Sequence, residues 1–159
     1  GLVVEGVGRA GALFARSGFT HHHAATSDEE ALRTIERLWR RPHFDGLVFA
    51  TLSDFDLVHG PKRDLKGFAD GLMRLDTWLG GFLSTIEPED LMIITAGHGH
   101  DPVAPHPGHT REETPLSGSA SPLSASTCNP TSTVPEPSSM ALLGTGLVGL
   151  VPVMRRRRK

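Results

Sequence analysis

An apolar run, Leu91-Met92-Ile93-Ile94, ends at Thr95 and opens into a loop that carries four histidines, His98, His100, His106 and His109. Four consecutive apolar residues between polar ones fit a strand covered on both faces, and α/β proteins place their chemistry where such a strand ends. Neutral imidazole is a common metal ligand, so this loop is the first candidate site. A second run, Leu47–Ala50, ends in the same way in Thr51-Leu52-Ser53-Asp54-Phe55-Asp56, with His59 just beyond. From spacing alone these aspartates serve equally well as ligands or as helix-capping and solvated groups.

The segments between the runs have helical period. Ser27-Asp28-Glu29-Glu30 is a capping box, in which Ser27 accepts from an amide of the first turn and Glu30 reaches back. Ala31, Leu32, Ile35, Leu38 and Trp39 follow at helical spacing, and Pro42 stops the helix. From Asp64 to Ile86 the stripe Leu65, Phe68, Leu72, Leu75, Leu79, Phe82 and Ile86 predicts a longer helix whose apolar side is core. With a short strand at Gly1–Glu5, the expected order is strand, helix, helix, strand, helix, strand, which is an α/β layout with parallel connections. If the strands are parallel neighbours, Asp54–His59 and Gly97–His109 converge on one edge of the sheet.

Two further motifs carry less. Gly6-Val7-Gly8-Arg9-Ala10-Gly11 matches a dinucleotide-binding turn, but that fingerprint needs a βαβ unit with an acidic residue closing its second strand. Here another helix is expected to intervene, so a glycine-rich strand-to-helix turn is favoured. His21-His22-His23 cannot all face one ion from a strand, because side chains alternate across it. A solvated loop is expected there.

Charge divides the chain. Residues 1–114 hold 11 basic and 17 acidic side chains, and the remaining positive charges are all in Arg155–Lys159. An acidic globular part argues against nucleic acid as a partner. The single cysteine, Cys128, excludes an internal disulfide or a cysteine-based zinc site. Gly1–Gly18 has charges among its apolar residues and does not read as a secretion signal.

Several motifs, in order, resemble the C-terminal part of the phosphopentomutases, members of the alkaline phosphatase-like superfamily of two-metal phosphoryl-transfer enzymes. They are Ser53-Asp-Phe-Asp56, Lys62-Arg-Asp-Leu-Lys-Gly-Phe68, Thr95-Ala-Gly-His-Gly-His-Asp-Pro102 and Gly108-His-Thr-Arg-Glu-Glu-Thr-Pro-Leu116. The resemblance covers residues 1–116. It implies a partial three-layer α/β core with a mostly parallel sheet, divalent metal (manganese is usual), and transfer of a phosphoryl group on ribose or deoxyribose phosphate. It further implies metal ligands at Asp56, His98 and His109. Two positions depart from the family pattern. Gly97 stands where the family has a ligating aspartate, and Pro61 where it has a ligating histidine, for which His59 is a possible substitute. One site would retain Asp56 and His109, the other His98 alone. The family's threonine nucleophile belongs to a part absent here, so this chain alone is expected to be inactive. The resemblance implies a cytoplasmic enzyme of nucleoside salvage.

The last third has another character. Ser117–Val134 is rich in Ser, Thr and Pro, lacks charge and periodicity, and is expected to be a disordered linker. Pro135-Glu136-Pro137, an apolar run from Met140 to Met154 and the basic end Arg155–Lys159 follow. This order, over residues 135–159, resembles the PEP-CTERM sorting signal of exported bacterial proteins, which implies a short hydrophobic helix, a sorting enzyme that cleaves near Pro-Glu-Pro, and the cell envelope as destination. The run is short of the roughly 20 residues that span a bilayer comfortably. Two readings follow: a truncated phosphopentomutase-like metalloenzyme joined to a sorting tail, and an exported, envelope-anchored α/β protein that only binds a ligand or partner.

Overall fold

The computed structural model describes residues 2–101, 116–119 and 149–155. The chain begins with strand β1 (Val3–Val7), a four-residue helix α1 (Ala10–Leu13), strand β2 (His21–His23), helix α2 (Asp28–Trp39) and strand β3 (Gly46–Thr51). A π-helical turn at Phe55–His59 runs into a short helical turn, α3 (Gly60–Lys62), and then the long helix α4 (Leu65–Leu83). Strands β4 (Leu91–Ala96), β5 (Leu116–Ser119) and β6 (Gly149–Arg155) complete one six-stranded sheet of order β2-β1-β3-β6-β4-β5.

The architecture is α/β, as the alternation of apolar runs and helical stripes predicts. Strands β2, β1 and β3 pair in parallel. Both β3 and β4 pair antiparallel to β6, so they point the same way. Helices α2 and α4 cover one face, where Val7, Ile35, Leu38, Trp39, Val48, Phe68 and Met92 are fully buried. Removing each of the larger of these side chains from water contributes about 1.5–3 kcal/mol. Trp39 meets Phe82 of α4 at a ring separation of 5.9 Å, which ties the two helices together over the sheet. On the other face Phe14, just past α1, and Phe19 pack edge-on or tilted against Phe49 of β3. The described residues thus form part of a three-layer arrangement.

Both longer helices start as their sequences require. Ser27 Oγ accepts from the Glu30 amide, while Glu30 Oε2 accepts from the Thr26 amide at 2.8 Å, one residue before the expected partner. At α4 the Asp64 carboxylate accepts from the Gly67 amide at 2.9 Å. Caps of this kind are worth about 1 kcal/mol each.

Five expectations are corrected. The histidine triplet is not a loop: His21–His23 is β2, paired in register with Glu5–Val7. Alternation puts His21 and His23 on the side of Glu5, whose buried carboxylate needs them. It follows that no helix separates α1 from the next strand, and β1-α1-β2 is a βαβ unit. The turn nevertheless carries only four helical residues, and Gly8 serves close packing, with φ +73° against the Thr51 carbonyl. Third, β3 and β4 are parallel but not neighbours, because β6 lies between them. Fourth, the C-terminal apolar run was expected as a helix, and its described part is strand β6. Val151 and Val153 are β-branched and Pro152 cannot continue a helix, so strand is the favoured local state. The expected linker also starts inside the sheet, since β5 runs through Ser117 to Ser119 and pairs with Met92–Thr95. Residues 120–148 of the linker and tail lie outside the described residues.

Candidate metal centre

Strands β3 and β4 end at the same edge of the sheet. The chain leaving β3 turns at Ser53 and Asp54 and enters the π-helical turn, which presents Asp56, while the chain leaving β4 passes Gly97 to His98. This brings His98 Nε2 to 4.0 Å from Asp56 Oδ1, both side chains about one quarter exposed. The other ring nitrogen of His98 is 3.0 Å from the Gly99 carbonyl oxygen. If Nδ1–H donates there, the tautomer leaves Nε2 as the acceptor facing Asp56, the form in which imidazole binds a metal.

A carboxylate oxygen and an imidazole nitrogen about 4 Å apart suit nearly opposite positions around one divalent cation, whose bonds to such ligands run about 2.0–2.2 Å, or facing positions on two neighbouring cations. The donor chemistry fits, but the set is small. Among the described residues no group of three His, Cys, Asp or Glu side chains converges as a metal-holding cluster. His109 lies outside the described residues. Among the described residues Gly97 leaves a space, since a Cβ added there would meet none of their atoms within 4 Å.

The other candidates have structural partners. His59 Nδ1 is 3.3 Å from Asp64 Oδ2, at the start of α4. The Gly67 amide, opposed by burial and helped by His59, holds the Asp64 carboxyl below the usual range. His100 is buried, stacks on Phe68 with ring planes 13° apart, and fills the space above Gly60. It therefore packs between the turn at Gly60 and Phe68 of α4.

Asp54 braces the loop after β3. Its Oδ2 accepts from the Asp28 amide at 2.9 Å, and Asp28 Oδ1 accepts in return from the amides of Ser53 at 2.5 Å and Asp54 at 3.0 Å. This exchange fixes the loop after β3 to the start of α2 and so aims the turn that bears Asp56. Burial pushes the Asp28 carboxyl up to about 6, helped by the charge of Asp54 and opposed by the Asp54 and Ser53 amides and by His59. Beside it a cavity of about 420 Å³ is lined by Asp28, Leu52, Phe55, His59, Arg74 and Trp78, among others.

A second polar cluster lies at β1 and β2, away from these loops. Glu5 is fully buried and is held by His23 Nε2 at 2.7 Å, Arg41 at 2.6 Å and His21 Nδ1 at 3.3 Å. Burial alone would raise its pKa, but the His23 hydrogen bond and the charges of Arg41 and His21 outweigh that and lower it. The available signal was a single acidic residue inside an apolar run, with three histidines close behind.

Comparison with known proteins agrees with this geometry. Residues 15–125 match the metalloenzyme superfamily, and residues 133–159 match the PEP-CTERM protein-sorting motif. The phosphopentomutase of Syntrophotalea carbinolica is 42% identical over 123 residues, which cover 73% of this chain and 29% of that protein. The phosphopentomutase of Carboxydothermus hydrogenoformans is 38% identical over 117 residues, and that of Anaeromyxobacter sp. (strain K) 40% over 117, each covering 73% of this chain and 30% of its own length. The chain thus spans about a third or less of the curated relatives it matches. With a strand-end carboxylate and imidazole set face to face and the family match running through both, the chain belongs to the metalloenzyme superfamily.

Proposed function

We propose that residues 1–116 are the C-terminal metal-binding part of a phosphopentomutase-like phosphoryl-transfer enzyme, carried on a chain with a sorting tail. The approach of Asp56 to His98 at the shared edge of β3 and β4 carries this reading. Asp56 and His98 would hold divalent metal, manganese by analogy with the family, at two neighbouring sites, with His109 beside Asp56 and His59 available as a substitute. The metal's part is to neutralise the oxygens of a phosphoryl group as it moves on a pentose phosphate. The chain's own part is to fix ligand positions: the Asp28–Asp54 brace holds the turn of Asp56, and the Gly99 carbonyl orients His98. Transfer itself requires a threonine nucleophile and further ligands from outside these residues, so the chain alone is inactive in this reading.

Calorimetric titration of the full chain with Mn²⁺, beside the Asp56→Ala, His98→Ala, His109→Ala triple variant, tests the proposal. Weak binding that the triple variant abolishes is expected. Equal heats from both proteins would remove the site.

The second reading is an exported, envelope-anchored α/β protein that binds a ligand or partner. The match of residues 133–159 to the PEP-CTERM motif favours it, as do Gly97 and Pro61 at ligand positions. A secretion signal encoded upstream of Gly1 would favour this reading, and an upstream metal-binding aspartate and threonine nucleophile would favour the first.

A further inference from the structure

The apolar tail and the sheet make competing claims on the same residues. Strand β6 is the described end of the segment that matches the sorting motif, and it lies in the middle of the sheet. On one side it pairs without a break with β3, from Gly46 opposite Arg155 to Thr51 opposite Leu150. On the other it pairs with β4 at Leu91, Met92, Thr95 and Ala96. The register passes over Ile93 and Ile94, which lie opposite Pro152 and Val151. Proline brings no N–H to a ladder, and in a central strand it removes a bond that a neighbour would otherwise receive. The strand is also the one antiparallel member between two strands that run parallel to each other. It is anchored along β3 and loosened along β4.

From this we infer that residues 149–155 exchange between two states, a strand that joins β3 to β4 and a segment free to enter an anionic membrane surface, and that the sheet withholds the tail from the membrane. The inference rests on reading the tail as membrane-directed. The partner is set by chemistry: an apolar run ending in Arg155-Arg-Arg-Arg-Lys159 matches an apolar layer bounded by negative headgroups. A β-strand paired on both sides cannot also lie in a bilayer, where its backbone groups must be satisfied within the inserted segment. Occupancy of one state therefore subtracts from the other.

A disulfide can hold the strand in place. Leu47 and Met154 are directly opposed on β3 and β6, and opposed residues of antiparallel strands are within disulfide reach. The full chain carrying Leu47→Cys, Met154→Cys and Cys128→Ser is floated with vesicles of phosphatidylethanolamine and phosphatidylglycerol, oxidised and after reduction. The oxidised protein is expected to bind about tenfold less than the reduced, the size of an ordinary coupling between two sites. Equal binding in the two forms overturns the inference. A synthetic peptide of residues 133–159 separates the two levels of the argument: if the peptide fails to bind these vesicles, the membrane reading of the tail falls and takes the inference with it. Pro152→Val gives a second arm with opposed signs. A tail that acts only as an apolar anchor binds more when proline is replaced by valine. A tail held by the sheet binds less, because the strand regains an N–H opposite Ile93 and Ile94, and a gain in binding overturns the inference.

Discussion

His98 Nε2 and Asp56 Oδ1 stand 4.0 Å apart although they close different strands, and those strands do not touch. Their separation is set by the width of β6 and by the loop that Asp28 and Asp54 brace. Metal bound at the two sites would add a link across a gap that the backbone spans through a third strand.

Gly97 is the position where this link can be strengthened. Among the described residues nothing lies within 4 Å of a Cβ built there, and its backbone does not demand glycine. Gly97→Asp is expected to fold unchanged and to tighten Mn²⁺ binding about tenfold, the effect of one well-oriented carboxylate at a metal site. Calorimetry beside the unaltered chain reads it, and an unchanged Kd would show that residue 97 does not face the metal.

Arg41 guards a buried charge. Arg41→Ala leaves Glu5 with only its two histidines, and a buried carboxylate short of partners is costly. A loss of about 1–3 kcal/mol is expected from urea unfolding at neutral pH. Glu5→Gln in the same background should recover part of it. If the double variant is no more stable than Arg41→Ala, the damage is lost packing rather than an unsatisfied charge.

Asp28 gives the fold a pH signature. Its folded pKa, about 6, lies above the ordinary value of 3.8, so the folded state holds the proton more tightly than the unfolded chain does. Its contribution is therefore favourable below 3.8 and is lost as pH rises through about 6, by up to about 3 kcal/mol. Asp28→Asn keeps the Oδ1 acceptor and removes the charge. Melting curves of the two proteins should diverge across this window, with the variant gaining on the parent as pH rises. Parallel curves would show that Asp28 ionises without cost.

Two glycines should respond with opposite signs. Gly8 has φ +73°, and a Cβ there would overlap the Thr51 carbonyl oxygen, so Gly8→Ala should cost about 2 kcal/mol or more. Gly80 sits inside α4, and a Cβ built there meets no described residue outside its own stretch of helix, so Gly80→Ala should add about 0.5–1 kcal/mol. Thermal melts of both variants check the pair.

Helical periodicity revealed α2 and α4, and short continuous apolar runs revealed β3 and β4, because burial of these elements is written in the residues. The convergence of Asp56 and His98 was legible once both were assigned to strand ends. What escaped was decided at a distance. His21–His23 looks like a loop until Glu5 is known to be buried beside it. Asp54 looks like a ligand as readily as Asp56 does, and only its exchange of bonds with Asp28 separates them. Residues 149–155 have a local preference for strand in Val151, Pro152 and Val153, but their place between β3 and β4 is decided by the open edges of those strands, which no local pattern records.

That placement alters what cleavage of the tail would achieve. Pro135-Glu136-Pro137 lies between β5 and β6, so a cut there severs the chain while β6 remains paired on both sides. The product would be a nicked molecule, two pieces in one sheet, whose severed end departs only as fast as a central strand can be drawn out. Processing would then be complete in the covalent sense well before anything was released.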